Sequence, residues 1–376
     1  MPDTGVRYFD STMAGAPALS GTVGTLIGVL DACLKDGFGA ATLNSLVVAG
    51  NVATGTVNAG HGFAMIGGAV GPVIRIAGAT PSALNGDWRL ASVPNSTTFT
   101  FATAGIADQT ATGTITAQRA PAGWAKSYSG TNKAVYARSD PSATAMRLRV
   151  DDTGTTTAAV SGYESMTDVD TGSGAFAGSG ASGYTLAYFV KSNAASGVAR
   201  PWTLCADGRF FYLFVDHTGT AGAGFMHGFG DYVPHVSADA YACVLLSSHS
   251  ASNNDMEQVN RTAMIGCCIC RSYTQIGGYV AAGRCSHIAT TNLGQGVVSY
   301  PGPADNAFHA APVDLWESGT IPRGTLPGLW NPLHAQNTIP SETIIGAVPQ
   351  LPGRVLLVRR FESSCCVALD IVGPWR

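Results

Sequence analysis

Cysteine is the residue type with the most distinctive potential chemistry in this sequence, because nine cysteines are present in 376 residues. Four of them are close together, as Cys267, Cys268, Cys270 and Cys285. A structural zinc site usually leaves about two to four residues between paired thiolates, so that both can face one ion. Here the first intervals are too short, and adjacent residues of a strand point to opposite faces of a sheet. We therefore predict structural cysteines, buried as small apolar side chains, and no bound metal.

The remaining cysteines offer no better spacing for a metal. Cys365 and Cys366 are adjacent, as are Cys267 and Cys268. The odd total leaves at least one thiol free or paired between chains. Disulfides within or between chains stay open as an alternative, formed only after the protein leaves the reducing cytoplasm. The other cysteines are Cys33, Cys205 and Cys243.

The densest carboxylates are Asp168 and Asp170, which resemble the start of a calcium-binding loop. Such a loop alternates its oxygen ligands and ends in a bidentate Glu at its twelfth position. Counted from Asp168, that position holds Ser179, which has no carboxylate. We expect these residues to accept backbone N–H groups in a turn and not to bind calcium. The neighbouring pair Asp151 and Asp152 is expected to form the turn that follows a strand.

Histidine could supply metal ligands or a general base, and three of the eight histidines are near one another and near two aspartates. They are His217, His227 and His235, with Asp216 and Asp231. Neither the i, i+4 spacing of a helix nor the i, i+2 spacing of a strand relates these histidines, so the pattern does not place them on one face. We expect neither a metal site nor a hydrolytic site here.

Two further positions invite a functional interpretation but favour a structural one. His61 has glycine on both sides, which indicates a turn residue hydrogen-bonded to backbone. Asp207-Gly208 predicts a hairpin turn that joins Thr203–Cys205 to Arg209–Val215. The sequence has no G-x-S-x-G elbow, Walker A loop, dinucleotide fingerprint or H-E-x-x-H helix. It therefore supports neither an enzyme nor a cofactor.

The elements that position these residues are predicted to be mostly strands. Met146–Asp151 reads MRLRVD, whose strict alternation indicates a half-buried strand, and Ala158–Tyr163 is its expected hairpin partner. Apolar residues at helical spacing predict one helix over Thr22–Lys35. The fold class is thus mainly β: a multi-domain, β-sandwich or barrel-like body with a small inserted all-β module and one short N-terminal helix. Further predicted strands are Thr185–Lys191, Phe210–Val215, Ala240–Ser248, Arg261–Arg271 and Gly353–Arg360.

A change of composition separates residues 46–118, called the insert below, from the rest of the chain, called the body. The insert is rich in Gly, Ala, Thr, Val and Asn, and turn signals such as Asn85-Gly86 recur about every ten residues. Its predicted strands are Val52–Val57, Val73–Ile76, Trp88–Val93, Thr97–Ala102 and Ala111–Ala117. The predicted domains are 1–45, an arm and helix belonging to the body; 46–118, the insert; 119–300, the main β domain; and 301–376, a Pro/Gly-rich arm and a C-terminal strand. We expect the arm, over 301–353, to be a long ordered loop that packs on the body or on a neighbour.

Composition also limits the possible partners. Charged residues make up 12% of the chain and hydrophobic residues 45%, against about 25% charged in an average soluble protein. So few charges predict a surface covered by other copies or other subunits. No basic run indicates nucleic-acid binding, and no apolar stretch approaches the roughly 18 residues of a membrane helix. Residues 1–4 lack the basic and apolar regions of a secretory signal, so we expect synthesis in the cytoplasm.

Two resemblances emerge from these segments. The insert resembles a small all-β module that is common in tailed-bacteriophage virion proteins. Its matching features are His61-Gly62, Ile74-x-Ile76-x-Gly78-Ala79, Leu84-Asn85-Gly86, Val93, Phe99-Thr100-Phe101 and Thr112-Gly113-Thr114. Nearly the whole chain resembles a family of tailed-bacteriophage virion structural proteins. The motifs are Gly15-Ala16-Pro17-x-Leu19-x-Gly21, Leu30-Asp31-Ala32-Cys33-Leu34-x-x-Gly37-Phe38-Gly39, Trp124, Ser129-Gly130-Thr131-Asn132-Lys133-Ala134-Val135-Tyr136, Arg149-Val150-Asp151-Asp152, Gly162-Tyr163-Glu164-x-Met166-Thr167-Asp168-x-Asp170-Thr171-Gly172, Arg200-Pro201-Trp202, Asp207-Gly208-Arg209, Phe229-Gly230-Asp231 and Gly373-Pro374-Trp375-Arg376.

The second resemblance implies a virion component of the tail or baseplate, which binds itself and other virion proteins. It implies no activity, so no catalytic residues are assigned from it. Two alternatives stay open: a decoration or fibre-type protein that contacts the host surface, and a virion-borne hydrolase. A receptor-binding fibre usually ends in a distal, repetitive β domain. The insert here is near the amino terminus and the chain closes with a compact Gly-Pro-Trp-Arg end, which favours an internal building block.

Overall fold

The protein is mainly β, as the sequence predicts. The computed structural model describes residues 5–177, 187–220, 224–237, 239–248, 267–286, 299–318, 321–335, 338–346, 348–361 and 365–376. The first nine strands are β1 (Arg7–Asp10), β2 (Phe38–Thr42), β3 (Ser45–Ala49), β4 (Val52–Thr56), β5 (Val73–Ala77), β6 (Gly86–Asn95), β7 (Thr98–Ala102), β8 (Gln109–Thr110) and β9 (Thr116–Arg119). The next ten are β10 (Trp124–Gly130), β11 (Lys133–Arg138), β12 (Arg147–Asp151), β13 (Thr157–Tyr163), β14 (Ser165–Met166), β15 (Gly172–Ser173), β16 (Ala187–Val190), β17 (Trp202–Ala206), β18 (Phe210–Val215) and β19 (Phe225–Asp231). The remaining strands are β20 (Val233–Pro234), β21 (Cys243–Leu246), β22 (Cys267–Ile269), β23 (Val280–Ser286), β24 (Ala310–Glu317), β25 (Ile321–Pro332), β26 (Thr343–Ile345), β27 (Leu356–Phe361) and β28 (Cys365–Asp370).

The predicted N-terminal helix is present but shorter. Helix α1 (Thr25–Leu30) continues as a π-helical segment over Asp31–Asp36 and ends before Gly37, which has a φ of 77°. Its buried side chains pack into the first body core, which explains the helical spacing seen in the sequence. A single 3₁₀ turn, Ser82–Leu84, lies in the insert. Within the residues described, no helix is both long enough and apolar enough to cross a membrane.

The first body core lies between two sheets. A five-stranded sheet, in the order β10-β11-β12-β13-β16, packs with α1 against one face of a larger sheet. The hairpin predicted from Met146–Asp151 and Ala158–Tyr163 is confirmed, because β12 and β13 pair antiparallel. Alternate residues of β12, such as Leu148 and Val150, are buried in the core, as the MRLRVD pattern predicts.

The larger sheet has thirteen antiparallel strands, in the order β1-β17-β18-β19-β21-β22-β23-β24-β25-β28-β27-β26, with β20 paired to β25. It curls, so that strands from its two halves face each other across the second body core. Strand β18 is buried on both faces for this reason. Phe211 and Leu213 lie in the first core, whereas Tyr212 and Phe214 lie in the second. A continuous apolar run therefore replaces the usual alternation in this strand.

The expectation of a loop over 301–353 is wrong for much of that stretch. Strands β24 and β25 lie within it and pair with each other. Proline is tolerated in them because the β24–β25 pairing is interrupted by irregularities, and β25 makes only short ladders with β20 and β28. A separate, smaller core lies under this region and includes Phe308, Ile339 and Val358.

The insert has a core of its own, with Trp88, Phe99 and Phe101 at its centre. Its eight-stranded sheet runs β2-β9-β5-β6-β7-β4-β3-β8, so the border strands β2 and β9 belong to it. The tight turn predicted at Asn85-Gly86 is instead the end of a longer connection between β5 and β6. The strand predicted over Ala111–Ala117 is wrong for 111–115, because the paired residues there are those of β8 and β9.

The other strand predictions match in position. β18 has the predicted bounds, β5 and β6 are longer than predicted, and β4 and β7 are shorter. β16, β21, β22 and β27 lie within or across the predicted ranges. Residues 185–186 and 261–266 of those predictions are outside the described residues.

Candidate functional site

The carboxylates that resembled a calcium loop are used in a turn and in ion pairs. Asp168 Oδ1 accepts the backbone N–H groups of Asp170 at 2.7 Å and Thr171 at 2.8 Å, which lowers the pKa of Asp168. Asp170 pairs with Lys133 at 2.9 Å and Arg149 at 2.5 Å, and these contacts lower its pKa too. The turn interpretation is confirmed for Asp168, and Ser179 is outside the described residues.

The histidines do not converge on a ligand. The ring of Phe225 contacts both His217 and His227, with ring centroids 4.7 Å and 6.0 Å away. His227 Nε2 accepts the backbone N–H of Val190 at 2.9 Å. His61 is buried in the predicted backbone-bonded turn, where its Nδ1 accepts the N–H of Phe63 at 3.0 Å. Among the described residues, no group of three or more His, Cys, Asp or Glu side chains could hold a metal ion.

The cysteines behave as core residues wherever their side chains are described. Cys267 packs in the second body core and Cys268 against the first, so the adjacent pair faces opposite ways, as predicted. Burial raises the pKa of the Cys243 thiol and of the Cys268 thiol, each to about 12. No two of the seven cysteines with described side chains are joined by a disulfide. The side chains of Cys285 and Cys365 lie outside the described part of the structure.

Several sequence motifs meet at one group of charged side chains, called the Asp231 cluster: Arg138, Asp207, Arg209, Asp231 and Arg376. Asp231 is completely buried and pairs with Arg138 at 3.1 Å and Arg209 at 3.2 Å. Arg376 pairs with Asp207 at 2.6 Å and also donates to the backbone carbonyl of Asp231. The cluster therefore ties the last residue of the chain to the β17–β18 turn and to the end of β19.

Neighbouring groups add further contacts to this cluster. The backbone N–H of Thr144 donates to Asp231 Oδ2 at 2.8 Å, and its hydroxyl donates to Oδ1 at 2.7 Å. The guanidinium carbon of Arg138 lies 5.1 Å from the ring centroid of Phe229 and 5.7 Å from that of Trp124. The Trp124 indole donates to the Asp207 carbonyl at 2.9 Å. A buried charge with this many partners is a structural cross-link.

A second buried pair fixes the start of helix α1. Asp152 Oδ2 accepts the backbone N–H of Leu26 at 2.8 Å and of Ile27 at 3.2 Å, which supplies the cap that Gly24 lacks. Its other oxygen pairs with Lys191, and both side chains are fully buried. A carboxylate at a helix N-terminus is stabilising because the N–H groups there lack partners in the helix.

The insert is bound to the body by arginines. Asp87 in the insert pairs with Arg7 in β1 at 3.0 Å and with Arg75 at 2.7 Å. Arg89 donates to the backbone carbonyl of Val6 at 3.1 Å and to that of Val372 at 3.4 Å. These contacts hold the insert against both ends of the body.

An open cavity of about 500 Å³ lies between insert and body. Its polar lining residues include Tyr8, Asp10, Arg119 and Glu342. Arg119 is only 3% exposed, and burial lowers its pKa to about 10. No sequence pattern indicated this cavity. Tyr8 and Asp10 share a face of one strand, which was a usable signal, but nothing in the sequence relates them to the other two.

No family model matches the chain, and no curated protein matches it either. The family of this protein therefore remains a prediction from its sequence motifs.

Proposed function

We propose that this protein is a structural component of a tailed-bacteriophage virion, specifically a tail or baseplate assembly subunit. It is made in the host cytoplasm, is incorporated into the virion, and binds itself and other virion structural proteins. Its role is structural: it occupies a fixed place in an assembly and does not catalyse a reaction. The proposal rests on the sequence resemblance. The structure supports it because several of the motifs contribute side chains to one cluster.

The Asp231 cluster is the observation that carries this proposal. Four of the motifs contribute to it: Trp124, Asp207-Gly208-Arg209, Phe229-Gly230-Asp231 and the terminal Gly373-Pro374-Trp375-Arg376. Residues far apart in the sequence thus form one set of ion pairs and hydrogen bonds around the buried Asp231. A polar network around a buried charge destabilises the fold when one of its partners is missing. These motifs therefore specify a rigid shape. Rigid shape is what a repeated assembly subunit must supply.

The test is to locate the protein in purified particles. A short epitope is inserted at Gly105, on an exposed turn of the insert, and a matched control carries it at Gly197, in an exposed loop of the body. Immunogold labelling should place at least one epitope on the tail or baseplate, and non-reducing mass spectrometry should detect the protein in the same particles. Particles that lack the protein, or labels confined to the head, would refute the proposal.

One observation favours the second candidate function, a decoration or fibre-type protein that contacts the host surface. The cavity between insert and body is open to solvent and has both charged and apolar walls. Labels at the outermost tip of the tail would favour this alternative. A virion-borne hydrolase is tested by incubating the purified protein with peptidoglycan and host polysaccharide, where we expect no release of reducing ends.

A further inference from the structure

The cavity between insert and body has a buried floor and an exposed rim. Arg119 and Leu357 are buried at the floor, whereas Thr12, Ala64 and Glu342 are exposed at the rim. A volume of about 500 Å³ falls in the range of roughly 300–1,000 Å³ that small-molecule sites occupy. The cavity is therefore large enough for a ligand and is accessible to one.

Glycine brings the insert close enough to the body to form this cavity. Gly67 has a φ of 56°, and a Cβ there would lie 2.6 Å from Ile344 Cγ1. Gly62 has a φ of 66°, and a Cβ there would lie 2.5 Å from the Cβ of Ala14. Any other residue at either position would be strained and would push the two walls apart. The walls are thus held at a fixed separation by the backbone.

Arg119 at the floor has unused hydrogen-bonding capacity. Its Nη atoms donate to the carbonyl of Ala14 at 3.2 Å and to that of Gly62 at 2.6 Å. Its Nε is buried and has no hydrogen-bond partner in the described structure. Because this Nε has almost no accessible surface, a ligand in the cavity would meet the remaining N–H groups of the Nη atoms instead. Asp10 acts on Arg119 through its charge, without a hydrogen bond between them.

The acceptors of the cavity are the carboxylates of Asp10 and Glu342. Asp10 Oδ1 accepts the backbone N–H of Thr12 at 2.8 Å and its hydroxyl at 2.5 Å. Glu342 pairs with Arg359, which is itself buried and pairs with Asp216 at 3.2 Å. The cavity therefore combines donors with acceptors and has no large excess of either charge.

These features select a ligand class. The two carboxylates disfavour an anion, whereas Arg119 in the lining and Arg359, which pairs with Glu342 from outside the lining, disfavour a cation. A hydroxyl group both donates and accepts, so it matches carboxylates and an arginine in the same cavity. Apolar walls such as Met13, Ile66 and Leu357 suit the C–H faces of a sugar ring. We propose that this cavity binds a neutral saccharide of one or two rings. The proposal goes beyond the assembly role and does not depend on it.

The test uses the full chain and four neutral disaccharides: maltose, lactose, cellobiose and N,N′-diacetylchitobiose. Saturation-transfer NMR identifies any binder, and calorimetry measures its Kd, which we expect to be about 1 mM or tighter. Inorganic phosphate and choline serve as the anionic and cationic probes, and both should bind at least ten-fold more weakly. No binding of any disaccharide at 10 mM, or tighter binding of a charged probe, would overturn the proposal.

Two variants connect binding to the cavity. Ala64→Trp fills the mouth without removing a hydrogen bond, and should weaken binding at least ten-fold. Ala104→Trp, at an exposed position elsewhere on the insert, is the matched control and should bind as the wild type does. Asp10→Asn keeps an oxygen for the Thr12 turn but replaces one acceptor by a donor, and should weaken binding about five-fold. Equal binding by the wild type and Ala64→Trp would show that the saccharide binds elsewhere and would refute the assignment, whatever the location of the protein in the particle.

Discussion

Replacing Asp231 by Asn is the sharpest test of the Asp231 cluster. The substitution keeps the size of the side chain but removes the charge that faces Arg138, and both side chains are fully inaccessible to solvent. Removing one partner of a buried pair costs about 3–5 kcal/mol, because the other charge stays buried without compensation. We therefore expect Asp231→Asn to lower the stability of the body by that amount.

The expected shift in Tm follows from the size of the chain. Unfolding entropy is about 2.1 cal/mol/K per residue, which gives about 0.6 kcal/mol/K for a body of roughly 300 residues. The loss then corresponds to a Tm of the body that is about 5–8 °C lower, measured by differential scanning calorimetry at pH 7. Asp170→Asn is the matched control, because Asp170 also pairs with two cations but is 53% exposed. Its Tm should stay within about 1 °C of the wild type.

A double variant distinguishes the ion pair from other effects of the substitution. Arg138→Met retains a long apolar side chain beside Trp124 and Phe229. If the buried pair is the cause, Arg138→Met with Asp231→Asn should lose less stability than the two single losses added together, with a coupling of about 1–3 kcal/mol. A Tm for Asp231→Asn equal to that of the wild type, or strictly additive losses, would refute the argument.

Three further predictions concern other parts of the chain. Burial lowers the pKa of His334, whose Nε2 accepts the backbone N–H of His309 at 2.8 Å, so its neutral form is the one that stabilises the fold. The free energy of unfolding should therefore fall as the pH drops below 6.5, the pKa of the unfolded state, towards the lowered pKa of the folded state. Calorimetry should show a smaller fall in Tm between pH 8 and pH 5.5 for His334→Gln than for the wild type. Equal falls would contradict this. Replacing residues 46–118 by a short linker should leave a folded body with a lower Tm, because only Ile66 and Val70 of the insert lie in the second body core. An insoluble product without a cooperative melt would show that the insert is not a separable unit. Alkylation under denaturing, non-reducing conditions should modify all nine cysteines, and metal analysis of the same sample should find no stoichiometric zinc; intact-mass detection of a disulfide would contradict the first result.

The parts of the fold that the sequence predicts are those with local patterns. The alternation of MRLRVD predicts a half-buried strand, and Asp207-Gly208 predicts the hairpin turn, where Asp207 Oδ1 accepts the N–H of Arg209 and of Phe210 at 2.7 Å. The strands within 301–353 are hard to predict because proline and glycine signal irregular structure locally. Whether β25 tolerates them depends on which of its backbone N–H and C=O groups form hydrogen bonds with the neighbouring strands, and no local pattern contains that information.

The cavity could not be predicted for a related reason. Arg119 and Glu342 are distant in the sequence, and neither has a spacing relation to Asp10. Their proximity depends on how the insert docks on β1. The Asp231 cluster is likewise not predictable as a unit, because its motifs are far apart in the sequence.

The pairing of β1 with β17 has a consequence for the order of folding. Arg7 lies opposite Ala206, so the two strands are about 200 residues apart in the sequence. At about 5–20 residues per second, the ribosome needs roughly 10–40 s to supply the partner of β1. The strands of the insert find their partners within a much shorter stretch of chain, and short loops close faster. The insert should therefore fold first during synthesis, while β1 waits as an unpaired segment that a chaperone, or another nascent chain, can bind.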